Sequence, residues 1–397
     1  MAPIDEKEIP KLKGLLREGP PPEDSIGTYP SLGVMHELVD GFVTTLGTHE
    51  DVVAPPPNSM KTLDLGTMHA PEGACLPFKL LMGNLLECIE KGANTVGMIT
   101  ERGPCRLGFY SLGMRLIFSD LGLNVGWFDF NNVNLRKGYI ARMRKVHRET
   151  YGERLSYMRF GKSFAIGFMR LGAVEALEKE RNLRIALEVE PGSIDDCFKE
   201  GQKQIGQATH PPGIWRALRQ AKKKLRAVPI DPERRVVKVV ITGEVYCVLD
   251  PFANSHIETR LARLHAEPYR VIWQSSHLRY AMKLDLFRKD GKGAAIRAAR
   301  DYLPEQLGGD CNSNLGHAIL SHRRGYDGMV HLKPFGCMLE FVAQNLLQVF
   351  EEKTGFPILS LTLDDLTADE RINNRLEAFV DNLFRRKYGS KGARSRS

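Results

Sequence analysis

The sequence predicts an α/β protein with two domains, each built on a largely parallel sheet, joined by a helical bridge. Short apolar runs alternate with segments of helical periodicity over residues 26–132 and again over residues 233–386. Strands that alternate with helices are typical of parallel sheets. Between these regions, residues 133–232 are charged and helical in period, so they predict helices without strands.

The first predicted domain alternates strand and helix from its beginning. Apolar runs bounded by Gly, Pro or Asn predict strands, whereas apolar residues that recur every three or four positions predict helices. The expected strands are 26–29, 52–53, 95–99 and 125–130, and the expected helices are 34–46, 75–89 and 110–121. Residues 1–25, which precede them, are rich in proline and charge and are expected to be flexible.

The second predicted domain restarts the same alternation with a strongly apolar strand at 236–243. Further strands are expected at 269–273, 328–332 and 357–363, and helices after Asn254 and at 312–321, 337–350 and 369–384. Residues 387–397 contain mainly Gly, Ser, Arg and Lys, and this composition predicts a disordered basic tail.

Composition limits the functional classes. Of the 397 residues, 42% are hydrophobic and 26% are charged, which is ordinary for a globular protein. No apolar run approaches the ~20 residues of a membrane helix, and the acidic, polar start lacks a signal sequence, so we expect a cytoplasmic protein without membrane contact. The net charge of +8 falls in separate clusters without a recognised binding motif, which does not favour nucleic acid as a partner.

Three of the seven cysteines share a local setting. Cys75, Cys105 and Cys337 each closely follow a Gly or Pro and precede an apolar helical stretch. A helix N-terminus stabilises a thiolate, and thiolates bind soft metals. Ligands of open α/β sheets bind beyond the carboxyl ends of the strands, where all three cysteines are expected. The pattern therefore predicts one shared metal site in the cleft between the domains, most simply an iron-sulfur cluster.

The remaining cysteines have other interpretations. A free cysteine is most often a small buried hydrophobic residue, and Cys88, Cys197 and Cys247 are interpreted in this way. Cys247 is expected near the end of a strand. Cys311 also precedes a predicted helix and could be an additional ligand, so its role stays open.

Polar residues near the predicted strand ends are candidates for the cleft. Glu244 and Asn254 flank the end of the first strand of the second domain, and His331 lies shortly before the Cys337 turn. A proton donor near a cluster is one role for such a histidine, although hydrogen-bonded structural histidines are commoner. The sequence does not assign a catalytic residue.

With these residues located, the chain resembles the 2-hydroxyacyl-CoA dehydratase component family, which includes the benzoyl-CoA reductase subunits and related proteins described as CoA-substrate-specific enzyme activase-like. The resemblance extends over about residues 26–384 and is weakest in the helical bridge. Its most specific segments are 73–79, 103–110, 243–254 and 325–337.

The resemblance implies two Rossmann-like domains and a 4Fe-4S cluster held by Cys75, Cys105 and Cys337. It further implies a partner, an ATP-dependent activator or reductase with its own cluster, and a homodimer or a pairing with a related subunit. Such proteins use low-potential electrons for one-electron reduction of an acyl-CoA, while a relative with a double-cubane cluster reduces small molecules. The alternative is a non-catalytic iron-sulfur electron carrier or assembly scaffold.

Overall fold

The computed structural model describes residues 25–48, 51–100, 105–131, 147–148, 152–153, 155–284, 290–365 and 369–389. The predicted flexible segment, except Ser25, and residues 390–397 of the predicted tail lie outside these ranges. Residues 133–146, at the start of the predicted bridge, also lie outside these ranges.

The described residues alternate strands and helices along the chain. The strands are β1 Gly27–Thr28, β2 Thr95–Thr100, β3 Gly126–Asn131, β4 Val237–Gly243, β5 Ala266–Arg270, β6 Gly328–Pro334 and β7 Ile358–Leu363. The helices are α1 Met35–Leu46, α2 Met60–His69, α3 Leu76–Glu90, α4 Leu107–Asp120, α5 Tyr157–Asn182, α6 Ser193–Gly206, α7 Pro211–Ala227, α8 Val245–Leu249, α9 Ile257–Arg263, α10 Gln274–Ala281, α11 Lys292–Ala299, α12 Cys311–Arg323, α13 Met338–Thr354 and α14 Asp369–Tyr388.

The chain forms two compact units. The first contains residues 1–31, 46–74 and 78–163, and the second contains residues 32–45, 75–77 and 164–397. The second unit therefore includes most of α1 and, from residue 164 onward, the helices of the predicted bridge. It also includes Cys75, whose neighbours in the chain on both sides belong mainly to the first unit.

The first unit contains a parallel sheet in the order β1-β2-β3. Thr95 of β2 pairs with Gly27 of β1 and with Gly126 of β3, while Val52 forms a single parallel bridge to Gly27. Helix α4 packs on β2, and Phe118 of α4 meets the Trp127 ring at a centroid distance of 5.4 Å. Burial of these aromatic and apolar side chains stabilises the sheet on this face.

The second unit contains a parallel sheet in the order β5-β4-β6-β7. Every residue of β4 is buried except Lys238, as expected for a central parallel strand covered on both faces. Val240 of β4 and Met329 of β6 pack with Leu347 and Phe350 of α13 in one apolar core. A separate core holds α5, α6 and α7 together through residues such as Leu177 and Leu218.

The structure confirms the α/β class and two sheets of parallel strands. Several local predictions were wrong. Cys247 does not end a strand, because β4 stops at Gly243 and the next five residues form α8. Strand β5 covers Ala266–Arg270 rather than 269–273, and helices α2, α10 and α11 were not predicted. Helix α14 continues to Tyr388, two residues into the predicted tail.

No helix within the described ranges combines the length and the apolar character needed to cross a membrane.

Candidate functional site

The second sheet has a topological switch point between β4 and β6. From β4 the chain proceeds to β5 on one side, and it then returns past β4 to place β6 on the other side. Segments leaving the carboxyl ends of β4 and β6 therefore diverge, and such a crevice is where ligands of open α/β sheets bind. Glu244 follows β4 and Cys337 lies three residues after β6, so both are at this edge.

The end of β4 lies unusually close to β6. Gly243 has a φ of 143°, and a Cβ at this position would overlap the carbonyl oxygen of Leu332. The next amide, that of Glu244, donates a hydrogen bond of 3.0 Å to the same Leu332 oxygen. Only glycine permits this approach, which fixes where α8 begins relative to β6.

Two of the three predicted cysteine ligands belong to the second unit, and each lies directly before a helix. Cys337 is the N-cap residue of α13, and its amide donates to the Pro334 oxygen at 3.2 Å. Cys75 is buried and immediately precedes α3. The positive end of each helix favours a thiolate at these positions. The sequence therefore predicted the local setting of both thiols correctly.

Cys105 has a similar local setting in the first unit. It lies two residues before α4, is partly buried, and its carbonyl oxygen accepts a bond of 3.2 Å from the Gly108 amide. The Arg106 guanidinium beside it donates to the Gly73 oxygen at 3.0 Å. The meeting of Cys105 with Cys75 and Cys337 stays a prediction.

Cys247 lies at the same edge as Cys337, which sequence reasoning did not anticipate. It is the third residue of α8 and is fully buried. Burial raises the pKa of its thiol well above the ordinary value, and the charges of Glu244, Cys75 and Cys337 raise it further. The surroundings of the Cys247 thiol therefore disfavour its thiolate form.

Glu244 is a partly exposed residue whose carboxyl group is surrounded mainly by protein. It caps α8 by accepting a bond of 3.0 Å from the Cys247 amide. Burial raises its pKa to about 7, the amides of Cys247 and Tyr246 oppose that shift, and the charges of Asp310 and Glu340 add to it. A carboxyl group that changes protonation near neutral pH is suited to proton transfer.

Asn254 anchors the segment that carries Cys247. Its Nδ2 donates to the Cys247 oxygen at 2.9 Å and to the Val248 oxygen at 3.3 Å, and its Oδ1 accepts from the Ile257 amide at 3.2 Å. This buried side chain therefore holds α8 against the start of α9. Its role in the described structure is to position the segment that carries Cys247.

His331 belongs to a buried polar network beneath the switch point. Its Nε2 is 2.7 Å from Oε2 of Glu340, and its Nδ1 is 3.2 Å from Oγ of Ser360. The same Glu340 oxygen accepts a hydrogen bond of 2.8 Å from Nδ2 of Asn314. Oδ1 of Asn314 in turn accepts a hydrogen bond of 2.7 Å from the Thr242 hydroxyl. Burial raises the pKa of Glu340, and its bond to His331 opposes that shift. The network links β4, β6, α12 and α13.

Cys311 is the first residue of α12 and is fully buried. Burial raises the pKa of its thiol to about 12, with additions from Glu340 and Asp310. Burial would also raise the pKa of Asp310, but Lys292 at 2.9 Å and His277 at 3.0 Å hold it well below its ordinary value. The structure thus places Cys311 beside a paired buried carboxylate.

The implied iron-sulfur cluster requires thiolate ligands. Cys75, Cys247 and Cys337 carry soft sulfur atoms, and Cys75 and Cys337 directly precede helices, so the chemistry of each thiol suits a thiophilic group. Among the described residues, no group of three or more Cys, His, Asp or Glu side chains is arranged to hold a metal ion. Ligands of a cluster bind different irons, so their arrangement differs from that around one tetrahedral ion.

A comparison of the whole chain with protein-family models and with curated proteins finds no match.

Proposed function

We propose that this chain is an iron-sulfur protein related to 2-hydroxyacyl-CoA dehydratase components. In this proposal the cluster is of the 4Fe-4S type, its ligands are Cys75, Cys105 and Cys337, and the two domains are Rossmann-like. The protein accepts low-potential electrons from an ATP-dependent activator with its own cluster. It uses them for one-electron reduction of an acyl-CoA or a small molecule, as a homodimer or with a related subunit.

One observation carries this proposal. Cys75 and Cys337 come from segments more than 250 residues apart in sequence, yet the charge of Cys75 contributes to the raised pKa of Cys337. Burial is the larger cause, and it brings that pKa to about 12. The charge of Cys75 raises the cost of ionising the partly buried Cys337, and binding of both thiolates to one thiophilic group would remove that cost.

The strand order supports the Rossmann-like part of the proposal. The order β5-β4-β6-β7 has its first strand inside the sheet, with the second strand on one side and the third on the other. In the first unit, the bridge of Val52 to Gly27 places the second extended segment beside β1, opposite β2. Both arrangements agree with doubly wound sheets whose ligands bind at the switch point.

When bound, the cluster would supply an electron at low potential. The chain's own residues would bind it and limit access of water. The two helix N-termini would stabilise the negative charge of the Cys75 and Cys337 sulfurs. The partly exposed Glu244 would hold a proton beside the site, at a carboxyl whose pKa is near neutral.

Electron paramagnetic resonance (EPR) of the anaerobically purified, reduced protein tests this function. We expect the signal of a reduced iron-sulfur cluster, and a change in that signal on addition of an acyl-CoA substrate. Cys337→Ser should abolish or alter the signal, whereas Cys197→Ser, a substitution in α6, should leave it unchanged. A signal that is identical in wild type and Cys337→Ser would overturn the assignment of that ligand.

The activator can be tested separately. A purified ATP-dependent reductase with its own cluster should reduce the protein only when ATP is present, and this should be visible as bleaching of the cluster absorption. If a chemical reductant of moderate potential reduces the protein fully without ATP, an ATP-driven low-potential donor is not needed.

A further inference from the structure

A cavity of about 260 Å³ opens at the amino edge of the second sheet. Three segments form its walls: the loop between α12 and β6, the loop between α13 and β7, and the last turns of α14. Because the strands of this sheet are parallel, β6 and β7 both begin at this edge, opposite to the edge where Glu244 and Cys337 lie. The cavity therefore lies apart from these two residues of the candidate site.

The walls of the cavity are tied together within the second unit. Nζ of Lys387, near the end of α14, donates to Oδ2 of Asp327 at 2.7 Å and to the Val236 oxygen at 3.2 Å. At the start of β6, a Cβ on Gly328 would come within 2.9 Å of Cδ2 of Leu383, so α14 lies close against the strand. These contacts hold the end of α14 beside the loop that precedes β6.

Arg386 gives the lining an unbalanced positive charge. Among the other lining residues, Lys387 and Asp327 form an ion pair, so their charges offset each other. Nη2 of Arg386 donates to the neutral oxygen of Gly355 at 2.9 Å, and no carboxylate of the described lining pairs with this guanidinium. A guanidinium has five N–H donors, so most of them remain after this bond. Its planar fork suits a carboxylate or a phosphate.

Aromatic and apolar side chains form much of the remaining lining. Phe356 and Leu383 are buried, and the ring of His322 packs on that of Phe356 at a centroid distance of 5.5 Å. The ring of Tyr326, a further lining residue, lies 4.8 Å from that of Tyr269. Flat rings pack favourably on such side chains in offset or edge-to-face geometry. Since drug-sized ligands occupy pockets of about 300–1,000 Å³, this smaller cavity suits a molecule with a single ring.

We propose that this cavity binds a small organic anion with one flat apolar ring, the class of aryl carboxylates and aryl phosphates. The anionic group binds Arg386, and the ring packs beside His322 and Phe356. Substrates of open α/β sheets bind beyond the carboxyl ends of the strands, so a ligand at the opposite edge is an effector rather than a substrate. The site does not depend on the proposed iron-sulfur function, and loss of the cluster leaves this inference intact.

The test is isothermal titration calorimetry of the full-length chain with phenyl phosphate, benzyl alcohol and benzylamine, three probes with one ring and different charges. Phenyl phosphate should bind about tenfold or more tightly than the other two, because only it forms charge-assisted bonds with Arg386. Arg386→Gln should weaken its binding by about tenfold. The matched control is Arg385→Gln, at an exposed arginine of α14 outside the lining, and it should change binding by less than about twofold. Equal affinity for the three probes, or equal loss in the two variants, would overturn the proposal.

Nuclear magnetic resonance of the histidine side chains locates the ligand in wild type, so the result does not depend on the folding of Arg386→Gln. Phenyl phosphate should shift the His322 imidazole resonance, which is assigned by its loss in His322→Gln. The resonance of His69, in the first unit, should not move. Inorganic phosphate should bind more weakly than phenyl phosphate, because it has no ring. A His322 resonance that stays in place at saturation, or equal affinity for inorganic phosphate, would contradict the proposed mode of binding.

Discussion

Acid should destabilise the fold through His317, a buried residue of α12. Burial lowers the pKa of this imidazole from 6.5 to about 3. The carboxylate of Asp310 opposes the shift, while the positive charges of His277, Lys292 and Arg324 add to it. The folded state therefore keeps His317 neutral at a pH where the unfolded chain protonates it.

The sign and size follow from proton linkage. Between pH 6.5 and pH 3 the unfolded state binds more protons at this position than the folded state does, so the free energy of unfolding falls as the pH falls. With a His317 pKa of 6.5 in the unfolded state and about 3 in the folded state, the free energy of unfolding falls by about 2 kcal/mol between pH 7 and pH 5. The total decrease in the free energy of unfolding reaches about 5 kcal/mol at a pH where His317 is protonated in both the folded and the unfolded state, because each unit of pKa difference corresponds to ~1.4 kcal/mol.

The assay is urea denaturation of wild type and His317→Leu from pH 7.5 to pH 5. The difference in the free energy of unfolding between wild type and the variant at pH 7.5 is the baseline, because the His317 imidazole is then neutral in both the folded and the unfolded state. As the pH falls, the stability of wild type should decrease by about 2 kcal/mol more than that of the variant. Parallel pH curves, or an imidazole proton resonance of His317 that titrates near pH 6.5 in the folded protein, would refute the reasoning.

Two other substitutions test the packing around the site. Asp310→Asn should lower the free energy of unfolding by about 3 kcal/mol, because it leaves the buried ammonium of Lys292 without its partner, while Asp196→Asn on the surface should change it by less than about 0.5 kcal/mol. Gly316→Ala should cost about 2 kcal/mol or more, since its Cβ would overlap a backbone oxygen of α11, whereas Gly161→Ala, with open space around it, should gain up to about 1 kcal/mol. Urea or thermal unfolding measures both pairs. Equal effects within either pair would contradict the contacts described above.

Local sequence was sufficient to predict the sheets and two of the thiol positions in the second unit. The apolar run of β4 and the alternation around it predicted a parallel sheet because buried central strands need continuous apolar residues. Gly73 before α3, and Pro334 and Gly336 before α13, predicted helix starts because such residues end the preceding segment. Such features depend on a few neighbouring residues, so one sequence reveals them.

The position of Cys247 depended on contacts that one sequence does not show. The segment from Val245 to Val248 is rich in residues that favour strands, and this predicted an extended conformation. In the structure, Glu244 caps the segment and Asn254 binds two of its carbonyl oxygens, so it becomes helical. Propensity is a weak guide where side-chain hydrogen bonds satisfy the backbone in another conformation.

The buried polar network was also not predictable. Asn314 bonds to Thr242 and to Glu340, which are 72 and 26 residues away in sequence. Only the topology of the sheet brings these elements together. The available signal was the presence of polar residues in an otherwise buried helix, because buried polar groups require partners.

The most direct test of the account is the iron and acid-labile sulfide content of the anaerobically purified full-length chain. We predict iron and sulfide in equal amounts in wild type, loss of most of both in Cys75→Ser and Cys337→Ser, and no loss in Cys197→Ser. A wild type without iron and sulfide after reconstitution, or variants of Cys75 and Cys337 that retain the full amount, would contradict the central claim that these cysteines hold an iron-sulfur cluster.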